Sequence, residues 1–515
     1  MKNTKPFPFH VLLIGVYPVV ALYALNIQET TATSGLRALI LCLVFAMVLF
    51  IIYKLIQGDW HKAGLSASLT VILFFSYGHV YQAIRESGDL GNILGRHRYL
   101  LPILIALFIA GLYWIVRKMK SPREVTRGVN IVSLVLLVWP VFQIASFYIA
   151  DAVNLSKMTT SETPAMAELS PDELPDVYYI ILDGYARDDT LRDFYGYDNR
   201  DFLNALTARG FYVAICSRSN YVMTRLSLSS SLNMDYLDKI NLKEDSNNAE
   251  QLAWRLIQKN QVREDFEAMG YTTVAFETGY YWTEWTDADL YLSKDSGGQD
   301  TLSKIYGFGK LNNFEVLFIR TTLLQALLDL ETQLSQRFTT IVDEGAKKAQ
   351  YDTVNFTLDT LPKIAEIREP TFVFAHVLAP HHPYVLGLDG EFTPVNGSYV
   401  SQVQFLNHKI PEVVDEILAK SETPPIIILQ ADHSGPGTNP YPFRLNILNA
   451  YYLPNGGKDV LYSSITPVNT FRLIFDTYFG TDFGLLEDIS YHSTYENYFD
   501  VKVYPDTREG CGVTP

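Results

Sequence analysis

Five apolar runs crowd the first 150 residues, at 9–26, 36–55, 64–83, 99–116 and 129–150. Each is near the length that crosses a bilayer as a helix. Inside hydrocarbon a backbone must satisfy its own hydrogen bonds, so such runs admit helices and little else. Pro18, Pro102 and Pro140 lie within them, where membrane helices tolerate proline better than soluble ones do. The sequence therefore predicts a five-helix transmembrane domain over 1–150. No cleavable signal peptide is expected, because the first run is followed by more apolar runs and not by a soluble domain.

Basic residues set the expected orientation. Lys2 and Lys5 precede the first run, the connection at 28–35 holds no Lys or Arg, and Lys54 and Lys62 flank the entry to the third run. The strongest cluster, Arg117, Lys118, Lys120, Arg123 and Arg127, lies between the fourth and fifth. This places the N-terminus in the cytoplasm and, after five crossings, the rest of the chain outside. Arg85, Arg96 and Arg98 run against the rule, partly offset by Glu86 and Asp89. Residues 1–150 carry 13 Lys and Arg against 5 Asp and Glu, a net +8; the remainder carries 28 against 51, a net −23. So acidic a soluble part excludes nucleic acid as a partner, which wants a basic stripe. Cys42, Cys216 and Cys511 are too few for a disulfide framework and leave open whether the last two pair.

Residues 151–175 are polar, small and proline-bearing, and read as a linker. From 176 to 515 apolar strands such as VYYIIL and YTTVAFET alternate with helical stretches such as RDFLNALTARG, the pattern of an α/β domain with a mostly parallel central sheet. The run FYVAICS reads as another strand. The pattern weakens over 297–370, where FEVLFIRTTLLQALLDLETQL has apolar residues on more than one face. A helix buried against the sheet is favoured there over one lying on the membrane or its helices.

Two buried strands end in acids. VYYIIL runs into Asp183 and Gly184, and PPIIILQ into Ala431, Asp432 and His433. Open α/β sheets place ligands at the carboxyl ends of their strands, although an Asp-Gly turn after a core strand is by itself common. Between the two in sequence lies a hydroxyl-rich stretch, Thr224-Arg225-Leu226-Ser227-Leu228-Ser229. Together these make a metal-and-nucleophile constellation. From the residues alone Thr224 is equally a helix N-cap, with Ser227 and Ser229 as rival nucleophiles.

LDG, the Thr-x-x-Ser-Leu loop and ADHSG, in this order and so widely separated, resemble the alkaline-phosphatase/sulfatase superfamily. The likeness is to its membrane-anchored branch, the lipoteichoic-acid synthases and phosphoethanolamine transferases, and covers roughly 175–488. It implies an extracytoplasmic sulfatase-like catalytic domain holding one divalent metal through Asp183, Thr224, Asp432 and His433. Oxygen ligands with one imidazole favour Zn or Mn, with Mg or Ca possible. It implies Thr224 as nucleophile, and it matches His381 of His-His-Pro-Tyr to a histidine that contacts substrate or protonates the leaving group. Arg225, His382 and Ser227 are then expected at the substrate, while His376, inside the apolar strand FVFAHVL, reads as a core histidine.

A sulfatase of the Cys/Ser-x-Pro/Ala-x-Arg type is not expected, because CSRSN has Arg218 and Asn220 where Pro or Ala and Arg belong. No Asp-x-x-x-His occurs within 295–430, which argues for one metal and not two. Asp183 stands where the membrane branch usually has glutamate, and Asp-Gly here looks more like the phosphodiesterase side of the superfamily. The expected activity is transfer of a phospho-headgroup from a membrane phospholipid to an envelope glycan or lipid through a phospho-threonine. The alternatives are a sulfatase or phosphodiesterase acting on a soluble or glycan ester, and an inactive envelope-assembly or sensing module.

Overall fold

The computed structural model describes residues 7–27, 30, 32–87, 95–158, 174–239, 249–294, 313–329, 333–435, 442–494 and 499–505. The chain divides into two compact units, Met1–Ala150 with Asp300–Ala346, and Asp151–Gln299 with Lys347–Pro515.

In the first unit the apolar runs become α1 (His10–Leu25), α2 (Leu36–Gln57), α3 (Trp60–Arg85), α4 (His97–Tyr113, continued by a π-helical turn Trp114–Lys118) and α5 (Pro122–Met158). Four of these are long and apolar enough to cross a membrane, and this is a membrane protein; α1, at 16 residues, is shorter. The expected five spans thus become four and one shorter apolar helix. Helix α1 packs closely on α2 at Gly15, where a Cβ would come within 2.9 Å of Ala46 Cβ. Its first turn lacks a capping side chain of its own. Asn130 on α5 supplies one: its Oδ1 accepts from the His10 N–H at 3.0 Å and its Nδ2 donates to the Phe7 carbonyl at 2.9 Å. Helix α5 continues through 151–158, the first part of the expected linker; 159–173 lies outside the described residues.

The segment 313–329 belongs to this unit, against the expectation that it would be buried on the sheet. Phe314 and Phe318 join Val19 and Phe75 in one apolar cluster, with the Phe75 and Phe318 rings 5.5 Å apart. Glu315 pairs with Arg37, the Leu323 N–H donates to the Phe74 carbonyl at 2.8 Å, and Asp329 Oδ2 lies 2.8 Å from His97 Nε2. Gly78 permits the approach, since a Cβ there would come within 2.3 Å of Thr321 backbone. Leu317 and Leu327 stay exposed, so the segment's second apolar face is the mark of a helix lying on a membrane bundle.

The second unit is built on a seven-stranded sheet of β1 (Val177–Leu182), β2 (Tyr212–Val213), β3 (Thr272–Phe276), β4 (Leu290–Leu292), β5 (Thr371–Val377), β6 (Ile426–Gln430) and β7 (Asn449–Tyr452). Their order is β2-β7-β6-β1-β5-β3-β4. From β6 to β4 all neighbours pair in parallel, while β7 and β2 add antiparallel pairs at one edge. The expected strand 211–217 shrinks to the two residues of β2. Strands β1, β5 and β6 are buried throughout, because helices cover both faces. On one face Leu358 and Leu361 of Gln333–Ile364 and Val403, Leu406 and Val414 of Tyr399–Lys420 pack into the main core. On the other, Phe266 stacks on Phe372 at 4.4 Å and meets Phe475 at 5.0 Å. This packing fixes β5 and β6 on opposite sides of β1, with all three carboxyl ends side by side. Cys42 is free and buried, Cys216 is disulfide-bonded, and Cys511 lies outside the described residues.

Candidate metal centre and active site

The site grows from those three strand ends. Asp183 directly follows β1, and Gly184 then turns the chain at φ +77°, a conformation that favours glycine. The turn is held from two sides: Tyr399 Oη donates to the Gly184 carbonyl at 2.8 Å, and Asp432 Oδ1 accepts from the Gly184 N–H at 3.1 Å. Asp432 and His433 follow β6 after Ala431, and both are buried.

His433 Nδ1 lies 2.9 Å from the Ser434 carbonyl, which can only accept, so Nδ1 carries the proton. Its Nε2 therefore bears the lone pair. That nitrogen lies 3.5 Å from Asp432 Oδ2, 3.8 Å from Asp183 Oδ1 and 3.1 Å from Thr224 Oγ1. The helix Thr224–Ser231 begins after Met223, which caps it without a side-chain bond. Thr224 is the first helical residue and not the N-cap, and its hydroxyl faces the histidine.

The remaining expected residues divide. The His381 ring lies 6.5 Å from that of His433, and its Nδ1 donates to the His382 carbonyl at 2.5 Å. His382 is exposed, against the Tyr384 ring at 5.3 Å. Arg225 lies between the rings of Trp254 and Trp282, at 5.5 and 5.4 Å. Ser227 is buried, and its hydroxyl has no partner among the described residues. Ser229 Oγ donates to the Ala253 carbonyl at 2.7 Å, a helix-packing bond that leaves it poorly suited as a nucleophile.

Two residues join the site that the sequence reading left out. His376, read as a core histidine, is indeed buried, but its Nε2 lies 3.3 Å from Asp183 Oδ2. The signal was its place one residue from the end of an apolar strand; what sequence did not show was that β5 would lie beside β1. Arg444 donates to His433 Nε2 at 3.2 Å, to the Val222 carbonyl at 3.2 Å and to the Gly435 carbonyl at 3.3 Å. It thereby ties the threonine loop to the loop after β6. Nothing in Tyr-Pro-Phe-Arg-Leu-Asn singles it out.

Electrostatics follow from this crowding. Burial works to raise the Asp183 carboxyl, but His381, His376 and His433 together outweigh it and hold the group well below the usual carboxylate range. Burial, and then Arg444, lowers His433, against the pull of Asp432 and Asp183. An imidazole protonated at Nδ1, with its Nε2 lone pair turned toward Thr224, Arg444 and two carboxylates, is the tautomer a metal ligand needs. Asp183 Oδ1 and Asp432 Oδ2 are buried with no hydrogen-bond partner among the described residues. Two such oxygens are costly without a positive partner, so the donor set fits a divalent cation.

The chain is similar to phosphoethanolamine transferases. It covers 91% of itself and 95% of the integral membrane lipooligosaccharide phosphoethanolamine transferase EptA from Neisseria meningitidis, at 12% identity and a TM-score of 0.35. Against the C-terminal periplasmic domain of EptC from Escherichia coli, solved in complex with Zn, the figures are 64% of this chain, 93% of that chain, 11% identity and 0.38. The lipoteichoic acid synthase LtaP from Listeria monocytogenes matches over 68% and 82%, at 9% identity and 0.38. No family model and no curated protein matches the sequence.

Proposed function

We propose that this protein is a membrane-anchored, metal-dependent phosphotransferase that carries a phospho-headgroup from a membrane phospholipid to an envelope glycan or lipid through a phospho-threonine at Thr224. The observation that carries the reading is the Thr224 hydroxyl, 3.1 Å from His433 Nε2 at the meeting of two buried strand-end carboxylates. A helix-capping threonine has no reason to be there. A divalent cation bound there, Zn or Mn by the donor set, would supply positive charge to lower the hydroxyl pKa and neutralise phosphoryl oxygens.

Asp183, Asp432 and His433 would hold that ion. Thr224 Oγ, its proton lost to water, forms a bond to phosphorus as the bond to the leaving oxygen breaks. His381 gives that oxygen a proton. An acceptor hydroxyl then forms a bond to phosphorus and returns a proton to His381, while the phosphorus–Oγ bond breaks and Thr224 Oγ regains its proton from water. With water in the acceptor's place the same residues make a phosphodiesterase.

The side of the membrane rests on α5. The basic cluster Arg117, Lys118, Lys120, Arg123 and Arg127 lies at its start and just before it, which supports a cytoplasmic position for that end and an outside position for the second unit, whether or not α1 crosses. A disulfide-bonded Cys216 fits an oxidising compartment. An alkaline-phosphatase reporter fused after Pro515 will be active, and a cytoplasmic-only reporter silent; the reverse pattern overturns the orientation. The reaction itself is read by intact-protein mass after incubation with mixed membrane phospholipids. An adduct localised to the Thr224 peptide is expected, its mass naming the transferred group. Turnover of such lipids with the adduct on another residue defeats the assignment.

A further inference from the structure

His376 is an unusual core residue. It is 2% exposed, it lies opposite Ile181 in the parallel register of β5 on β1, and neither of its ring nitrogens has a hydrogen-bond partner among the described residues. Buried polar groups are nearly always satisfied, and leucine or methionine would fill the space without an unmet donor and acceptor. What it does have is a neighbour: Nε2 is 3.3 Å from Asp183 Oδ2. Ligand atoms of Asp183, His376 and Asp432, one from each, lie within 4.8 Å of one another.

The spacing decides between packing and ligation. Donors held about 2.1 Å from one ion at tetrahedral angles are about 3.4 Å apart. The edges here are 3.3 Å from His376 Nε2 to Asp183 Oδ2, 3.5 Å from His433 Nε2 to Asp432 Oδ2, 3.8 Å from His433 Nε2 to Asp183 Oδ1 and 3.1 Å from Thr224 Oγ1 to His433 Nε2. The 3.3 and 3.5 Å edges match that spacing and are too long for strong charge-assisted hydrogen bonds, whereas the 3.1 Å Thr224–His433 contact is an ordinary hydrogen bond; the ligand atoms that all lie within 4.8 Å of one another are those of Asp183, His376 and Asp432. The two histidines approach Asp183 on different oxygens, one from each strand that flanks β1.

We infer that His376 is a ligand of the cation that Asp183 and Asp432 hold, reaching it from β5 while His433 approaches from the end of β6. This rests on the reading that Asp183, Asp432 and His433 bind a divalent ion. Its consequence is metal choice. A second imidazole favours Zn, with Co or Ni as stand-ins, and disfavours Mg and Ca, which take oxygen.

The test uses the full-length protein in detergent, stripped with a chelator and titrated with Zn²⁺ against a fluorescent competitor, with Mg²⁺ in parallel and Co²⁺ followed by its visible spectrum. Wild type takes one Zn²⁺ per chain. His376→Leu, which keeps the volume, still takes one ion but with affinity lowered roughly 10- to 100-fold, the range for disturbed metal shells. Its Co²⁺ bands shift and weaken, and Mg²⁺ affinity does not fall with that of Zn²⁺, so selectivity narrows by the same factor. If the leucine variant does not fold, His376→Asn is read in the same way. Unchanged Zn²⁺ affinity and Co²⁺ spectrum in a folded variant overturn the inference, as does an equal loss of both metals, which a structural role would give. Two ions per chain in wild type overturn it as well. A wild type that binds no ion defeats the proposed function, and this inference with it.

Discussion

Thr224→Ala will lose turnover by on the order of 10⁴- to 10⁶-fold and all covalent labelling, the cost of removing a nucleophile whose partners act as a unit. The structure gives the reason for so steep a loss. The hydroxyl lies 3.1 Å from His433 Nε2, nearer than the Asp432 and Asp183 oxygens at 3.5 and 3.8 Å. Ser227 is the nearest rival in sequence, but it is buried and its Oγ has no partner among the described residues. Ser227→Ala thus deletes an unsatisfied polar group and should change turnover by less than about tenfold. Thr224→Ser keeps a hydroxyl and retains labelling. Protein mass spectrometry after a phospholipid pulse separates these outcomes. Labelling that survives in Thr224→Ala and vanishes in Ser227→Ala would move the nucleophile three residues and refute the assignment.

What was legible in the sequence, and what was not, follows the range of the interactions involved. β1 and β6 announce themselves as unbroken apolar runs, since strands buried on both faces need no polar alternation, and their terminal acids stand out against that background. Thr224 stood out only through the resemblance, since from the residues alone a helix N-cap role was equally plausible. His376 and Arg444 needed strand order and loop closure: one enters the site because β5 lies beside β1, the other because the chain after Gly435 returns to Val222. Segment 313–329 was misjudged for a different reason. Apolar residues on more than one face fit a soluble core and a membrane bundle equally well, and only partners such as Arg37 for Glu315 and Gly78 for Thr321 tell them apart. At the first helix an 18-residue apolar run forms a 16-residue helix with Pro18 inside it, shorter than the other four.

The metal should make Asp432→Asn cross over in stability with wild type. Asp432 Oδ1 accepts the Gly184 N–H, a bond that asparagine preserves through its own carbonyl, so the turn after β1 stays intact. The other oxygen, Oδ2, has no hydrogen-bond partner among the described residues and faces His433 Nε2 at 3.5 Å. Without a cation, wild type must bury this carboxylate close to the Asp183 carboxylate, and like charges in a dry site repel strongly. The variant removes one of them. In chelator, Asp432→Asn should therefore melt at the same temperature as wild type or higher. With Zn²⁺ present the order reverses. Binding to the folded state stabilises by RT ln(1 + [L]/Kd), about 4 kcal/mol at a thousandfold excess over Kd, and only wild type can draw on it. Elemental analysis of the variant should find essentially no bound ion, and turnover should fall with it, while α1 to α5 remain in the membrane fraction. His433→Ala should lose the ion too, but it leaves two carboxylates facing each other without their imidazole, so its apo form should melt below that of Asp432→Asn. Full metal content in either variant, or a Zn²⁺-induced rise in melting temperature equal to that of wild type, would show that the ion sits elsewhere.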